Sequence, residues 1–134
     1  MATAAKGTFT VKMTPQTWSE SSTDNMLSRF LLDKQYLGDL EAVSAGQMLS
    51  GGTIEKGSAG YVAIEKVTGT LHGRAGTFIL QHNGVMNRGV PQLTIAIIPD
   101  SGTGELQGLA GTMTILIADG KHSYELSYTL ATIE

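Results

Sequence analysis

The residues with the most potential for chemistry lie in one short apolar segment, between residues 61 and 67. Side chains alternate along an extended strand, so Tyr61 and Glu65 share one face and Val62 and Ile64 share the other. If Tyr61 and Glu65 face a core, burial raises the pKa of Glu65 and makes it a usable general acid or base. If Val62 and Ile64 face the core, Glu65 is a solvated surface charge. The second face is the more apolar, so the sequence favours the surface position and leaves the catalytic one open.

Histidine provides a second candidate for proton transfer. His82 has the same strand parity as Phe78 and Leu80, which favours an inward position and makes it a possible catalytic partner of Glu65 and Tyr61. A hydrogen-bonded place at a strand end is the more ordinary role for this histidine. The chain has no cysteine, and its three histidines do not stand at H-x-H or H-x-x-x-H spacing. The sequence therefore predicts no metal site and no cofactor.

Two polar groups are candidates for binding a charged part of a ligand. Trp18, Glu20 and Arg29 form the first, in which Arg29 could neutralise Glu20 or, from an inward position, Glu65. Structural ion pairing is the alternative role for this group. Arg74 is the second candidate, because it stands where the other copy of an internal repeat has leucine. The alternative for Arg74 is an exposed loop arginine.

A set of large apolar side chains could either line an adaptable cavity or fill it. Its members are Phe9, Met13, Met48, Phe78, Met113, Tyr124 and Tyr128. Of these, Phe78, Tyr124 and Tyr128 are the candidate ligand-binding residues, and core packing is the alternative for all of them.

A glycine-rich loop formed by Gly102, Gly104 and Gly108 follows the apolar segment 93–98 and superficially resembles a phosphate-binding loop. Such loops bind phosphate through the N-terminus of a helix. The residues after Gly108 are β-branched and include another glycine, so we expect a turn and a strand here. The sequence also has no G-x-S-x-G element, which leaves serine hydrolase chemistry without support.

The elements that position these residues are strands. Residues 8–13 and 123–130 alternate between polar and apolar side chains, and segments 27–36, 59–67, 77–82, 92–98 and 111–118 have weaker strand patterns. Turns are expected at 50–52, 55–58, 82–84, 100–104 and 119–120. A short helix over 25–30 or 37–45 is left open. The chain is thus predicted to be all-β.

An internal repeat narrows the architecture. Residues 68–80 and 103–115 have seven identical positions of thirteen, several of them glycine. Each copy is interpreted as a strand, a glycine corner and a second strand, and glycines at such corners help to curl a sheet. About eight strands, whose edges must be protected, favour a closed antiparallel barrel with little helix, and a sandwich is the alternative. Such a barrel is either filled by side chains or holds one small ligand.

Composition sets the outer limits on function. The chain has 134 residues, which predicts a single domain over 1–134, and its nine basic and twelve acidic residues argue against a nucleic-acid surface. No segment matches a secretory signal or a membrane span, so the prediction is a cytoplasmic protein without a membrane partner.

Several segments together resemble a known family. They are Trp18-x-Glu20, Gly38-Asp39-Leu40, GRAGTF at 73–78, SGTGEL at 101–106 and the alternating segment 124–130. Nearly the whole chain resembles bacterial domain-of-unknown-function family 3224. That family resembles the allene oxide cyclase and dirigent-type barrels, in which eight antiparallel strands close around an apolar cavity. The resemblance implies the barrel fold, and it implies function only weakly.

These observations predict a barrel that binds a small apolar or aromatic molecule in its interior. The alternatives are a cyclase, lyase or isomerase that uses Glu65, and a structural protein with a solid barrel. A homo-oligomer is also expected, because segment 93–98 is apolar on both faces and its outer residues Ala96 and Ile98 could pack against a neighbouring subunit. Cover by the segment 19–27 of the same chain is the alternative.

Overall fold

The computed structural model describes residues 2–17 and 26–131, and within them eight strands form one sheet. Each strand pairs antiparallel with the next, and β1 also pairs with β8, so the sheet is a closed barrel. The strands are β1 (Thr3–Gln16), β2 (Leu27–Gly38), β3 (Leu40–Gly52), β4 (Ala59–Leu71), β5 (Arg74–Asn87), β6 (Val90–Ile97), β7 (Leu109–Ala118) and β8 (Lys121–Leu130). The predicted all-β barrel is confirmed.

The two ends of the barrel differ. The end where β2 meets β3 and β4 meets β5 also carries the β6–β7 connection, residues 98–108, and we call it the closed end. The opposite end, where β3 meets β4, β5 meets β6 and β7 meets β8, is called the open end. Three connections are two-residue turns with positive φ at both residues, His72–Gly73, Arg88–Gly89 and Asp119–Gly120, as tight hairpins require.

The interior is packed most densely toward the closed end. A short 3₁₀ turn, Gly104–Leu106, lies there and directs Leu106 into the barrel, where its side chain is 1% exposed. The other fully buried large apolar side chains of the barrel are Tyr36, Leu40, Val67, Leu71, Phe78, Leu80, Ile95, Leu109 and Leu126. These residues make one continuous apolar core, which is the main stabilising term of a small barrel.

The SGTGEL segment has a structural role at this end. Its side chains accept hydrogen bonds from alternate backbone amides of β5: Ser101 from Ile79 at 3.0 Å, Thr103 from Thr77 at 3.1 Å and Glu105 from Ala75 at 3.1 Å. The segment thus covers the part of the β5 edge that β6 does not reach. This explains the glycine-rich loop without a phosphate.

The junction of β6 with β7 is the least paired in the barrel. In the described residues, these strands pair only at Ile95–Met113 and Ala96–Thr112, whereas β5 and β6 pair over eight positions. Toward the open end the two strands separate, so that Leu93 and Ile115, which the same register would bring opposite each other, are not paired. The barrel is therefore open on one side at its open end.

Several predictions about individual elements were wrong. The strand Leu40–Gly52 was missed, and the helix that was left open over 37–45 is not formed, because β2 continues to Gly38 and β3 begins at Leu40. The described part of segment 25–30 is mostly the start of β2. Residues 50–52 end β3, and residues 82–84 lie within β5, so neither is a turn. The second repeat copy begins with the 3₁₀ turn instead of a strand.

The outer face of β6 is only partly exposed at its closed-end part. Ala96 and Ile98 are half-buried, and the Ile98 amide donates to Ile79 O at 2.9 Å. Association through these two residues stays a prediction. So does its alternative, cover by segment 19–27, because residues 19–25 lie outside the described residues. No helix in the described part of the chain is long and apolar enough to cross a membrane.

Candidate functional site

Glu65 lies on the inner face of β4, near the middle of the barrel, and its side chain is 0% exposed. Each carboxylate oxygen contacts two donors. Oε1 accepts from the Tyr36 hydroxyl at 2.5 Å and the Ser44 hydroxyl at 2.9 Å. Oε2 lies 2.7 Å from Lys34 Nζ and 2.6 Å from His82 Nε2. These partners use all four lone-pair positions of the carboxylate.

The surroundings of Glu65 keep it ionised. Burial by itself raises the pKa of Glu65. The hydrogen bond from His82 and the charge and hydrogen bond of Lys34 lower the pKa by more than burial raises it, so that it falls from 4.5 to about 2. The expectation that a buried Glu65 has a raised pKa is therefore wrong. A carboxylate that stays ionised and has no free lone pair is a poor general acid or base.

Lys34 is the buried counter-charge of this site. Its side chain is 8% exposed and belongs to β2. The ammonium also lies 5.2 Å from the centre of the Phe9 ring, which adds a cation–π contact to the ion pair. The hypothesis that Arg29 neutralises Glu65 is wrong, because Arg29 and Lys34 are five positions apart and lie on opposite faces of β2.

Two glycines make room for the inward side chains of β4. Gly46 of β3 is paired with Glu65, and a Cβ at Gly46 would lie 2.8 Å from the Glu65 Cβ. Gly84 of β5 is paired with Tyr61, and a Cβ there would lie 2.8 Å from Tyr61 Cδ1. Both distances are too short for a larger residue, so these glycines permit the polar inner face of β4.

The two ring nitrogens of His82 face different partners. Because the ionised Oε2 of Glu65 is an acceptor, Nε2 of His82 donates the hydrogen in this contact, and Nδ1 is the ring nitrogen that faces Tyr61. The Tyr61 hydroxyl lies 3.5 Å from this Nδ1. Burial and the charge of Glu65 raise the pKa of Tyr61, which keeps its hydroxyl protonated. Tyr61, His82 and Glu65 thus form a hydrogen-bonded chain.

Tyr61 connects this chain with a cavity of about 520 Å³ at the open end. The cavity extends into the gap between β6 and β7, and most of its wall is apolar. It is lined by Met48, Ser50, Ala59, Gly60, Tyr61, Gly84, Val85, Met86, Pro91, Gln92, Leu93, Ile115, Leu116 and Ile117. The buried polar residues Glu65, Lys34 and His82 are not part of this wall.

The structure brings together the three candidate catalytic residues, Glu65, Tyr61 and His82. The open question about Glu65 is resolved in favour of the inward position, and Val62 and Ile64 are exposed. His82 faces inward as expected, but it lies within β5 and not at a strand end.

The candidate ligand-binding residues do not converge on the cavity. Phe78 is part of the core, and Arg74 is exposed at the closed end, as the alternative for it stated. The Tyr124 hydroxyl donates to Leu37 O and accepts from the Leu40 amide, both at 2.9 Å. The Tyr128 hydroxyl is hydrogen-bonded with His72 Nδ1 at 2.5 Å, also at the closed end. Trp18 and Glu20 lie outside the described residues.

Among the large apolar candidates, most fill the barrel. Phe9, Phe78, Met113, Tyr124 and Tyr128 are buried, whereas Met48 lines the cavity. Met13 is 44% exposed, because β8 pairs with β1 only as far as Phe9, and no other strand in residues 2–17 and 26–131 pairs with the rest of β1 on that side. Core packing is thus the outcome for most of this set.

The sequence analysis missed Lys34, Tyr36 and Ser44. Lys34 and Tyr36 have the parity of Leu32, and this alternation along β2 was the available signal. Ser44 could not be placed, because β3 was not recognised. No group of three metal-ligating side chains is present among residues 2–17 and 26–131.

Comparison with known proteins places the chain in a family. The model of DUF3224, a family of proteins of unknown function, matches residues 5–128. A similar solved structure is a protein of unknown function from this family in Shewanella oneidensis MR-1, with 48% identity and a TM-score of 0.94, covering 99% of this chain and 100% of that one. None of the curated proteins matches the chain. Residues 5–128 and the shared barrel together show that the chain belongs to the DUF3224 family.

Proposed function

We propose that this protein binds a small apolar molecule in the cavity at its open end. The observation that carries the proposal is the cavity itself, about 520 Å³ with largely apolar walls. Small-molecule sites typically measure about 300–1,000 Å³ and combine apolar walls with a few polar groups. The separation of β6 from β7 supplies a route from the side of the barrel into this space.

The exposure of the cavity wall supports binding energetically. Leu93 and Met86 are each 39% exposed, and Ile117 is 60% exposed, although all three belong to one continuous apolar surface. A ligand that covered this surface would remove it from water, with a gain of about 25 cal/mol for each Å² of apolar area. Contiguous exposed apolar surface of this kind commonly marks a binding site.

A catalytic function is the second candidate, and the hydrogen-bonded chain of Tyr61, His82 and Glu65 favours it. In that case the proton acceptor is His82 Nδ1, acting through Tyr61, and Glu65 is a positioning residue that fixes the histidine tautomer. The resemblance to cyclase and dirigent-type barrels suggests the same class of proton-transfer chemistry, a cyclase, lyase or isomerase.

The binding proposal is tested with 2-ethylnaphthalene as an apolar probe, followed by NMR of the backbone amides. We expect the shifts to concentrate on β4–β7 at the open end. Leu93→Glu should weaken binding at least about tenfold, because a carboxylate in the wall must lose water. The matched control is Val43→Glu on the outer face of β3, where Val43 is 58% exposed. Equal affinities of the two variants, or no binding by the wild type, would contradict the proposal.

The catalytic candidate is tested with 2-tetralone, whose C1 protons are weakly acidic. Deuterium uptake at C1 in D₂O is followed by NMR for the wild type and for His82→Gln. Proton transfer would be supported if the wild type accelerated deuterium uptake above the rate in buffer and His82→Gln did not. Binding of 2-tetralone with uptake only at the buffer rate would support the binding function alone.

A further inference from the structure

The polar groups at the bottom of the cavity restrict what it can bind. Ser50 and Tyr61 are paired across β3 and β4, and both line the cavity. The Tyr61 hydroxyl is the polar group of the wall that continues into the buried network, through His82. Its distance of 3.5 Å to His82 Nδ1 is long for a hydrogen bond, so this proton can turn to a better acceptor at little cost.

No cation of the described residues is available to a ligand in this cavity. The wall contains no lysine, arginine or histidine in the described part of the chain. Lys34, a buried cation of the described residues, is bound to Glu65 at 2.7 Å, and that pair is neutral overall. A ligand carboxylate placed against Tyr61 would lose water without gaining a counter-charge from the wall.

We propose that the ligand of this site is an uncharged molecule with an apolar body and one carbonyl or hydroxyl oxygen, which accepts a hydrogen bond from the Tyr61 hydroxyl. The inference rests on the proposed function and names the class of molecule that the same cavity takes. The apolar wall holds the body of the ligand, and Tyr61 sets its orientation and distinguishes it from a hydrocarbon of the same shape.

Three probes of nearly equal shape test this inference: 2-ethylnaphthalene, 2-acetylnaphthalene and 2-naphthoate. The dissociation constant of each is measured for the wild type and for Tyr61→Phe, which keeps the ring and removes the hydroxyl. We expect the preference of the wild type for the acetyl over the ethyl compound to fall roughly three- to tenfold in Tyr61→Phe. The affinity for 2-ethylnaphthalene should stay the same, and 2-naphthoate should bind most weakly to both proteins.

A second readout does not depend on the folding of the variant. The infrared carbonyl stretch of 2-acetylnaphthalene bound to the wild type should lie at lower wavenumber than the stretch of the same ketone in cyclohexane, because its oxygen accepts a hydrogen bond. A bound stretch at the cyclohexane position, or an acetyl preference that Tyr61→Phe retains, would overturn the role of Tyr61. Equal binding of 2-naphthoate and the ketone would overturn the requirement for an uncharged ligand. Failure of all three probes to bind would instead overturn the proposed function.

Discussion

The closed and open ends of this barrel are built from the same eight strands and differ in what fills them. At the closed end, Leu106 enters the barrel from the β6–β7 connection, and the Tyr124 hydroxyl bonds to the β2–β3 turn. At the open end, Leu93 and Ile117 remain in contact with solvent around a cavity. The comparison teaches that one small barrel can be filled by side chains at one end and leave an apolar cavity at the other.

The buried network around Glu65 separates the two ends. The network spans four neighbouring strands. Its donors are Lys34 and Tyr36 from β2, Ser44 from β3 and His82 from β5, and the acceptor Glu65 lies on β4. On the closed-end side of the network the interior is filled by apolar side chains, and on the open-end side Tyr61 lines the cavity. Buried polar networks with every member satisfied hold a unique arrangement of strands.

The largest expected effect comes from breaking the buried network around Glu65. Glu65→Gln removes the negative charge and leaves Lys34 buried without a counter-ion, which should lower the free energy of unfolding by about 3–5 kcal/mol. The matched control is Glu41→Gln, because Glu41 is exposed on the same sheet and should change stability by under about 0.5 kcal/mol. Urea unfolding measures both, and similar values for the two variants would show that the network does not hold the barrel.

Acid should lower the free energy of unfolding of the wild type, because it protonates Glu65. The pKa of Glu65 is lowered from 4.5 to about 2 on folding, so the unfolded chain binds this proton more readily than the folded one. The stabilisation is complete above about pH 4.5 and is lost as the pH falls toward 2, about 3 kcal/mol in all. Unfolding at several pH values should show this loss in the wild type and its reduction in Glu65→Gln. If the free energy of unfolding changed equally with pH in the wild type and in Glu65→Gln, the loss could not be assigned to Glu65.

A pair of leucine truncations compares the two ends directly. Leu106→Ala opens a hole in the closed end and should cost about 2.5 kcal/mol, while the affinity for 2-ethylnaphthalene stays unchanged. Leu93→Ala should cost under about 1 kcal/mol, because this side chain is 39% exposed, and should weaken the same probe several-fold. Thermal unfolding and NMR titration measure the two quantities. Equal losses of stability in the two variants would contradict the claim that the closed end is packed and the open end is not.

The smallest effect comes from removing one hydroxyl at each end. Tyr124→Phe breaks the hydrogen bonds with Leu37 and Leu40 and should lower the free energy of unfolding by about 1–2 kcal/mol. Tyr61→Phe should change it by under about 0.5 kcal/mol, since its contact with His82 is long. Urea unfolding measures both losses. A larger loss of stability in Tyr61→Phe than in Tyr124→Phe would contradict the claim that the closed end contributes more to stability than the open end.

The parts of the fold that could be predicted are those where alternation is clean. Tyr124, Leu126 and Tyr128 face inward on β8 as their spacing indicates. On β4 the same rule misleads, because the outward residues Val62 and Ile64 are more apolar than the inward Tyr61 and Glu65. A buried ion pair reverses the usual relation between hydrophobicity and face.

The network itself could not be assembled from the sequence, for two physical reasons. A lysine on an inner face is rare, so the pattern of β2 did not identify Lys34 as buried. The inner face of β3 consists of small residues such as Ala42, Ser44 and Gly46, which have little strand propensity of their own. Their positions depend on pairing with β4, where Glu65 needs the space that Gly46 leaves.

A crystal structure of the protein with 2-bromonaphthalene tests the central claim most directly, because bromine gives an anomalous signal at a definite position. The account predicts one strong bromine peak inside the open end, within the wall that runs from Tyr61 to Leu93 and Ile115. No peak is expected among the closed-end residues around Leu106. A bromine bound only on the outer face of the barrel, with this cavity empty, would contradict the claim.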